Sequence, residues 1–167
     1  NIEFRLASDT AWAERGHSVA AAQFAIPAPP ASHEGDPPPP GPAPSLATSD
    51  AAYVISGPAF AVRIDREQGA LSSFIHEGRE LLARPLVPNL WRAQTDNDSG
   101  SADLMLKELG LWRMAGPERV VTSTVATQPA PDAIRVTVRG TMVDGHVDWT
   151  QTYTVRGSGA VEVGMRI

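Results

Sequence analysis

Apolar and polar side chains alternate strictly in one segment after another of this chain, and no other feature limits its fold so tightly. Phe60, Val62 and Ile64 alternate with Ala61, Arg63 and Asp65, and Ile134, Val136 and Val138 alternate with Arg135, Thr137 and Arg139. A period of two puts each set on one face of a strand and rules out an amphipathic helix over these spans. Val147, Trp149, Tyr153 and Val155 share a face that only Gln151 interrupts. Punctuation falls between the runs: Arg66-Glu67-Gln68-Gly69 leads into Leu71–Ile75, Asp144-Gly145 is a strong hairpin signal, and Gly157-Ser158-Gly159 turns into a last strand. Consecutive antiparallel strands of this length predict an all-β, antiparallel β-sandwich.

Other segments break the pattern. Residues 102–112 predict one short helix, with Leu104, Leu111 and Trp112 on its apolar side, Asp103 in its first turn and Gly110 as its terminator. At the start, Ile2, Phe4 and Leu6 alternate with Glu3 and Arg5, and a second strand is expected from about His17 to Ile26. Pro37-Pro38-Pro39-Pro40 sits in the connector 27–49, where polyproline geometry makes a semi-rigid spacer. A proline-rich ligand would want a flanking basic residue, which is missing. The expected organisation is therefore 1–26, a connector 27–49, and the sandwich 50–167. Both termini carry strand patterns, so an internal fragment is expected.

Bulk chemistry narrows the function. A formal net charge of −5 and no basic stripe argue against nucleic acid. The absence of cysteine excludes disulfides and thiolate metal sites. No apolar run approaches the roughly 18–20 residues that would cross a bilayer as a helix. The richest segment is Pro88-Asn89-Leu90-Trp91-Arg92-Ala93-Gln94-Thr95-Asp96-Asn97-Asp98-Ser99-Gly100. Short polar side chains fold back on their own backbone and glycine adds conformational freedom, so a structured, hinged loop is expected. Counted as a calcium loop from Asp96, the glycine comes one place early and Lys107 stands where a glutamate ligand belongs. Glu77, Glu80 and Glu108 read as solvated groups. The tryptophans read chiefly as core, with Trp91, next to the polar segment, the best candidate for an aromatic contact with a ligand. His17, His33, His76 and His146 lack metal-ligand spacing.

The same segment closely resembles the W-R-A-P-x-D-N-D-x-G signature of lac-type bacterial β-galactosidases of glycoside hydrolase family 2, with Gln94 in place of the proline. Thr10-Ala11-Trp12-Ala13-Glu14-Arg15-Gly16-His17 resembles the end of that family's second immunoglobulin-like domain. Leu111-Trp112-Arg113-Met114-Ala115-Gly116 is similar to its W-K-x-A-G, and Thr152-Tyr153-Thr154-Val155-Arg156-Gly157-Ser158-Gly159 to its T-Y-x-I-x-G-S-G hairpin. The four stand in the family's order across nearly the whole chain.

This resemblance implies immunoglobulin-like strands followed by the first part of a small-chain supersandwich of galactose-mutarotase type. The parent would hydrolyse terminal β-galactosides with retention, using magnesium and often sodium, as a homo-oligomer, cytoplasmic or periplasmic. Its two catalytic glutamates would come from a preceding barrel domain, so no residue here is catalytic and none binds metal. Gly100 would be the hinge of a mobile loop beside the substrate, with Ser101, Ala102 and Asp103 opening it and Asp96, Asn97 and Asp98 bordering it. A mutarotase-like activity would need a histidine facing a carboxylate, for which no motif stands out. The competing class is a non-catalytic sandwich module that binds carbohydrate or protein.

Overall fold

The computed structural model describes residues 1–24, 41–101 and 107–167. The chain divides into two compact units, Asn1–Asp36 and Pro37–Ile167.

In the first unit, β1 (Ile2–Arg5) pairs antiparallel with β2 (Ser18–Ala22), Phe4 standing opposite Ala20. The connecting loop is held by its own polar groups: Asp9 accepts the Arg15 N–H at 2.8 Å, and Thr10 Oγ1 donates to the Ala13 carbonyl at 3.0 Å. The alternation predicted β1 correctly but not its burial. Ile2, Phe4 and Val19 are all exposed, because among the described residues no second layer covers the apolar side of this two-stranded ribbon. Trp12 is exposed too and meets His17 edge to face at 5.4 Å. The second strand stops at Ala22, and Ile26 lies outside the described residues.

The second unit is the sandwich. One antiparallel sheet runs in sequence order: β3 (Ser45–Thr48), β4 (Ala52–Gly57), β5 (Phe60–Asp65), β6 (Ala70–His76) and β7 (Arg79–Glu80). The other contains β8 (Val120–Ala130), β9 (Ala133–Met142), β10 (Val147–Arg156) and β11 (Val161–Arg166), ordered β11-β10-β9-β8. Strand β3 falls inside the stretch assigned to the connector; Leu46 and Ala47 pair with Ile55 and Val54, and that pairing, invisible locally, makes a weak pattern into a strand. The proline run itself lies outside the described residues.

Alternation translates directly into packing. Ile55, Phe60, Val62, Ile64, Val136, Val138, Trp149, Tyr153 and Val155 are buried together between the sheets. Burying such side chains contributes roughly 1.5–3 kcal/mol each before entropy is subtracted. Two tyrosines fasten one sheet to the other: Tyr53 donates to the Thr124 carbonyl at 3.1 Å, and Tyr153 donates to the Gly69 carbonyl at 3.1 Å. The hairpins sit where turn chemistry puts them. Asp144 and Gly145 both adopt positive φ between β9 and β10, and His146 on that turn is exposed.

Between the sheets in sequence comes a short α-helix, α1 (Leu111–Ala115). Of the predicted helix over 102–112, residues 102–106 lie outside the described residues, and α1 takes up its last two positions. Gly110 is the N-cap of α1, which ends at Gly116 before Pro117, whose ring cannot continue it. Leu111 is exposed and Ala115 is buried, so the core-facing side is Trp112 with Ala115. Leu104 and Asp103 lie outside the described residues.

Candidate functional site

The polar segment is anchored before it turns. Leu90 packs on the sandwich core, and Gly116 at the end of α1 lies so close to the Pro88 carbonyl that a β-carbon there would overlap it at 1.9 Å. Asn89 Oδ1 then accepts the Trp91 N–H at 3.1 Å, a local turn of the kind short amides favour.

Asp98 organises the remainder of the segment. Its carboxylate accepts two hydrogen bonds from Arg92, Nη1 to Oδ2 at 2.7 Å and Nη2 to Oδ1 at 3.0 Å. Thr95 adds its backbone N–H at 2.7 Å and its hydroxyl at 3.1 Å, and the Asp98 N–H returns to the Thr95 carbonyl at 2.9 Å. The chain from Asp96 to Ser101 is thereby wound into a 3₁₀ turn. Although Arg92 is 62% exposed, the Asp98 side chain is only 15% exposed, so the clasp sits against the segment rather than out in solvent. Asp96 and Asn97 point outward and make no side-chain hydrogen bond within the described residues.

The Arg92 guanidinium, and after it the Thr95 amide, holds the Asp98 carboxyl well below the usual carboxylate range. A second carboxylate behaves alike: Glu80 accepts from the Ser73 hydroxyl and from the Phe74 and Leu82 amides, and its pKa is lowered, chiefly by Ser73. The sequence pattern alone makes Glu80 a solvated group; the structure uses it to close the β6–β7 hairpin. Both carboxyls have folded pKa values below their unfolded ones, so their contribution is present above the unfolded values and is lost as pH falls. Acidification below about pH 4 is expected to loosen this turn and this hairpin first, read as early loss of amide protection at Thr95, Phe74 and Leu82. Unchanged protection at these amides down to global unfolding would refute it.

An open cleft of about 430 Å³ lies beside the turn, lined by Trp91, Gln94, Gly110 and Arg113. Trp91 is half-buried, leaving part of its ring available, while Trp149 and Trp112 are taken up by the core. Trp91 and Asp96–Asp98 are thus brought to one region, with Gly100 and Ser101 ending the turn, whereas Asp103 lies outside the described residues. Sequence reasoning missed two contributors. Arg113 reaches the cleft only because α1 starts at Leu111, and the pairing of Arg92 with Asp98 spans a separation that no regular element would align. Among the described residues no group of histidines and carboxylates could hold a metal ion, and both Asp98 oxygens are already engaged by donors.

This architecture matches a known family. Residues 56–167 correspond to the beta galactosidase small chain, which takes in most of the sandwich and the whole polar segment. The chain belongs to that family. It is 32% identical over 97% of its length to a beta-galactosidase of Priestia megaterium and 31% identical over 97% of its length to one from Lactobacillus delbrueckii subsp. bulgaricus. Against a beta-galactosidase of Klebsiella pneumoniae it is 38% identical over 62% of its length. The chain spans about 15% of the length of the first two relatives and 10% of the third. No helix among the described residues is long and apolar enough to cross a membrane.

Proposed function

We propose that this small-chain segment serves a larger enzyme that hydrolyses terminal β-D-galactosides with retention, supplying scaffold and a mobile loop at the border of the active site. The observation that carries this reading is the Arg92–Asp98–Thr95 clasp, which ends in a glycine within a stretch belonging to the small-chain family. A self-bonded turn that carries a glycine suits the mounting of a lid, and in this reading Gly100 is the hinge of that lid. In this reading the lid controls water and substrate pose. The two carboxylic acids that retention requires come from a preceding barrel domain, as do the ligands for magnesium and any sodium. The parent is a homo-oligomer, and the segment alone is inactive.

Gly100→Ala in the parent enzyme tests the hinge. Removing the glycine's freedom shifts the open–closed balance, so kcat and KM change together, by differing factors for two galactosides with different leaving groups. Identical kinetics to wild type on both substrates would rule the hinge out. The half-exposed Trp91 beside an open cleft favours one other reading, a carbohydrate-binding module without catalytic context. Titration of the 167-residue chain with galactosides separates the two, because the segment reading expects no measurable affinity.

A further inference from the structure

β9 and β10 are the interior strands of the four-stranded sheet, each paired on both sides. Their inward residues build the core, so Arg135, Thr137 and Arg139 of β9 and Thr150, Thr152 and Thr154 of β10 make up the sheet's outer face. Pairing sets Arg139 beside Thr150, Thr137 beside Thr152 and Arg135 beside Thr154, and β11 extends these rows with Arg166, Gly164 and Glu162. Across the rows lies an open hollow of about 480 Å³, lined chiefly by Arg135, Thr137, Arg139, Thr150, Thr152 and Arg166. Gly164 lines it as well, and a β-carbon at that position would crowd the Thr152 hydroxyl at 2.8 Å.

The chemistry of this hollow is one-sided. Guanidinium groups only donate, and the lining holds no carboxylate. Arg135 spends its Nε on the Thr154 hydroxyl at 3.1 Å, and neither Arg135 nor Arg139 has an ion pair among the described residues. In a chain whose formal net charge is −5, three guanidinium groups around an acid-free hollow reverse the sign locally. Arg139 and Arg166 flank Thr150 two strand spacings, or about 10 Å, apart, and Arg135 stands about 13–14 Å along β9 from Arg139. Positive charge is thus spread over a strip of sheet, the footprint of a row of carboxylates rather than of one anion. We infer that this face docks an acidic segment of the parent polypeptide lying outside residues 1–167. Its carboxylates pair with Arg135 and Arg139, and the Thr137 and Thr150 hydroxyls donate to it; forked guanidinium–carboxylate contacts fix both partner and orientation. The chain spans about 15% of relatives that it matches over 97% of itself, so most of a parent of that size is available to supply the segment. The contact requires a longer parent but no particular reaction, so it stands or falls apart from galactoside hydrolysis.

The test is hydrogen exchange, read by mass spectrometry on the intact parent enzyme. It compares Arg135→Glu/Arg139→Glu with the charge-keeping pair Arg135→Lys/Arg139→Lys. In the reversal variant one Asp- or Glu-rich stretch outside residues 1–167 is expected to exchange at least about tenfold faster than in wild type, while the charge-keeping pair changes it far less. Wild type in roughly 1 M salt, where charges are screened beyond about 3 Å, should resemble the reversal. Amides of the core residues Val136 and Tyr153 report whether the sandwich itself is intact; should the reversal loosen them, Arg135→Gln/Arg139→Gln is read in its place. Changing two acidic residues of the released stretch to lysine should restore its protection in the reversal variant. Three outcomes would overturn the docking: no change outside residues 1–167, a released stretch without carboxylates, or a charge-keeping pair as disruptive as the reversal.

Discussion

Trp149→Ala is expected to destabilise the sandwich by roughly 3–5 kcal/mol, the range for removing a buried large aromatic. The indole is 2% exposed and is one of the largest fully buried side chains of the structure. It lies on β10 opposite Gly140 and under the Arg119 guanidinium, whose central carbon stands 5.7 Å from the ring centroid. Arg119 in turn donates to the Gly116 carbonyl at 2.9 Å and to the Gln68 carbonyl, so the indole supports a bridge between the end of α1 and the β5–β6 turn. Truncation loses the burial, leaves a cavity that sheets cannot easily collapse, and removes the surface on which Arg119 rests. Trp149→Phe should cost clearly less. It keeps most of the volume and removes an indole N–H that is buried without a partner among the described residues. Urea unfolding monitored by circular dichroism decides this. A lower midpoint at unchanged slope supports the account, and a loss below about 1 kcal/mol for the alanine variant contradicts it.

In the parent enzyme, Asp98→Asn is expected to lower kcat/KM on the order of 10- to 100-fold, a typical cost of misplacing a positioned element by about an ångström. Asparagine has the same shape but offers one acceptor where the carboxylate offers two, and Arg92 loses its charge partner along with its bidentate contact. The 3₁₀ turn that holds Gly100 then loses its clasp, so a lid mounted on it would start from a distribution of poses. Arg92→Ala should reproduce most of the defect, and the double variant should be little worse than either single one, because both remove the same clasp. Full activity in Asp98→Asn, or strictly additive losses in the double variant, would show that the clasp does not position the loop. Substrate binding at the barrel should be less affected than turnover, which separates this role from direct recognition.

How far the sequence could be read depended on the range of the interactions involved. The alternation of Phe60, Val62 and Ile64, and of Ile134, Val136 and Val138, records a local geometric fact, that successive side chains of a strand point to opposite faces. The strands, and the sandwich they imply, were legible for that reason. So was Asp144-Gly145, because positive φ is a property of the residue and its neighbours. Family motifs added the polar segment and its place in the order of the chain. Burial was less accessible. Phe4 and Val62 sit in similar patterns, yet one is exposed and the other buried, since a strand is covered only by a second layer, and among the described residues the two-stranded ribbon has none.

The remaining features needed three dimensions. Gly157 reads as an ordinary turn residue, but the structure shows a second demand on it: a β-carbon there would stand 1.7 Å from the Pro42 carbonyl oxygen, where the chain enters the sandwich. Strand β3 exists because β4 lies beside it, and α1 begins at Leu111 because Trp112 and Ala115 find the core from there. Asp98 is the sharpest case. Sequence marks it as one of two carboxylates flanking an amide; folding gives it Arg92 and Thr95 and leaves Asp96 facing solvent. By itself, then, the sequence determined the alternating strands, the turns and the family, all set by short-range sterics and residue identity. The tertiary structure decided which apolar faces are covered and which of two neighbouring aspartates holds the loop, because both depend on groups brought together only when the chain closes on itself.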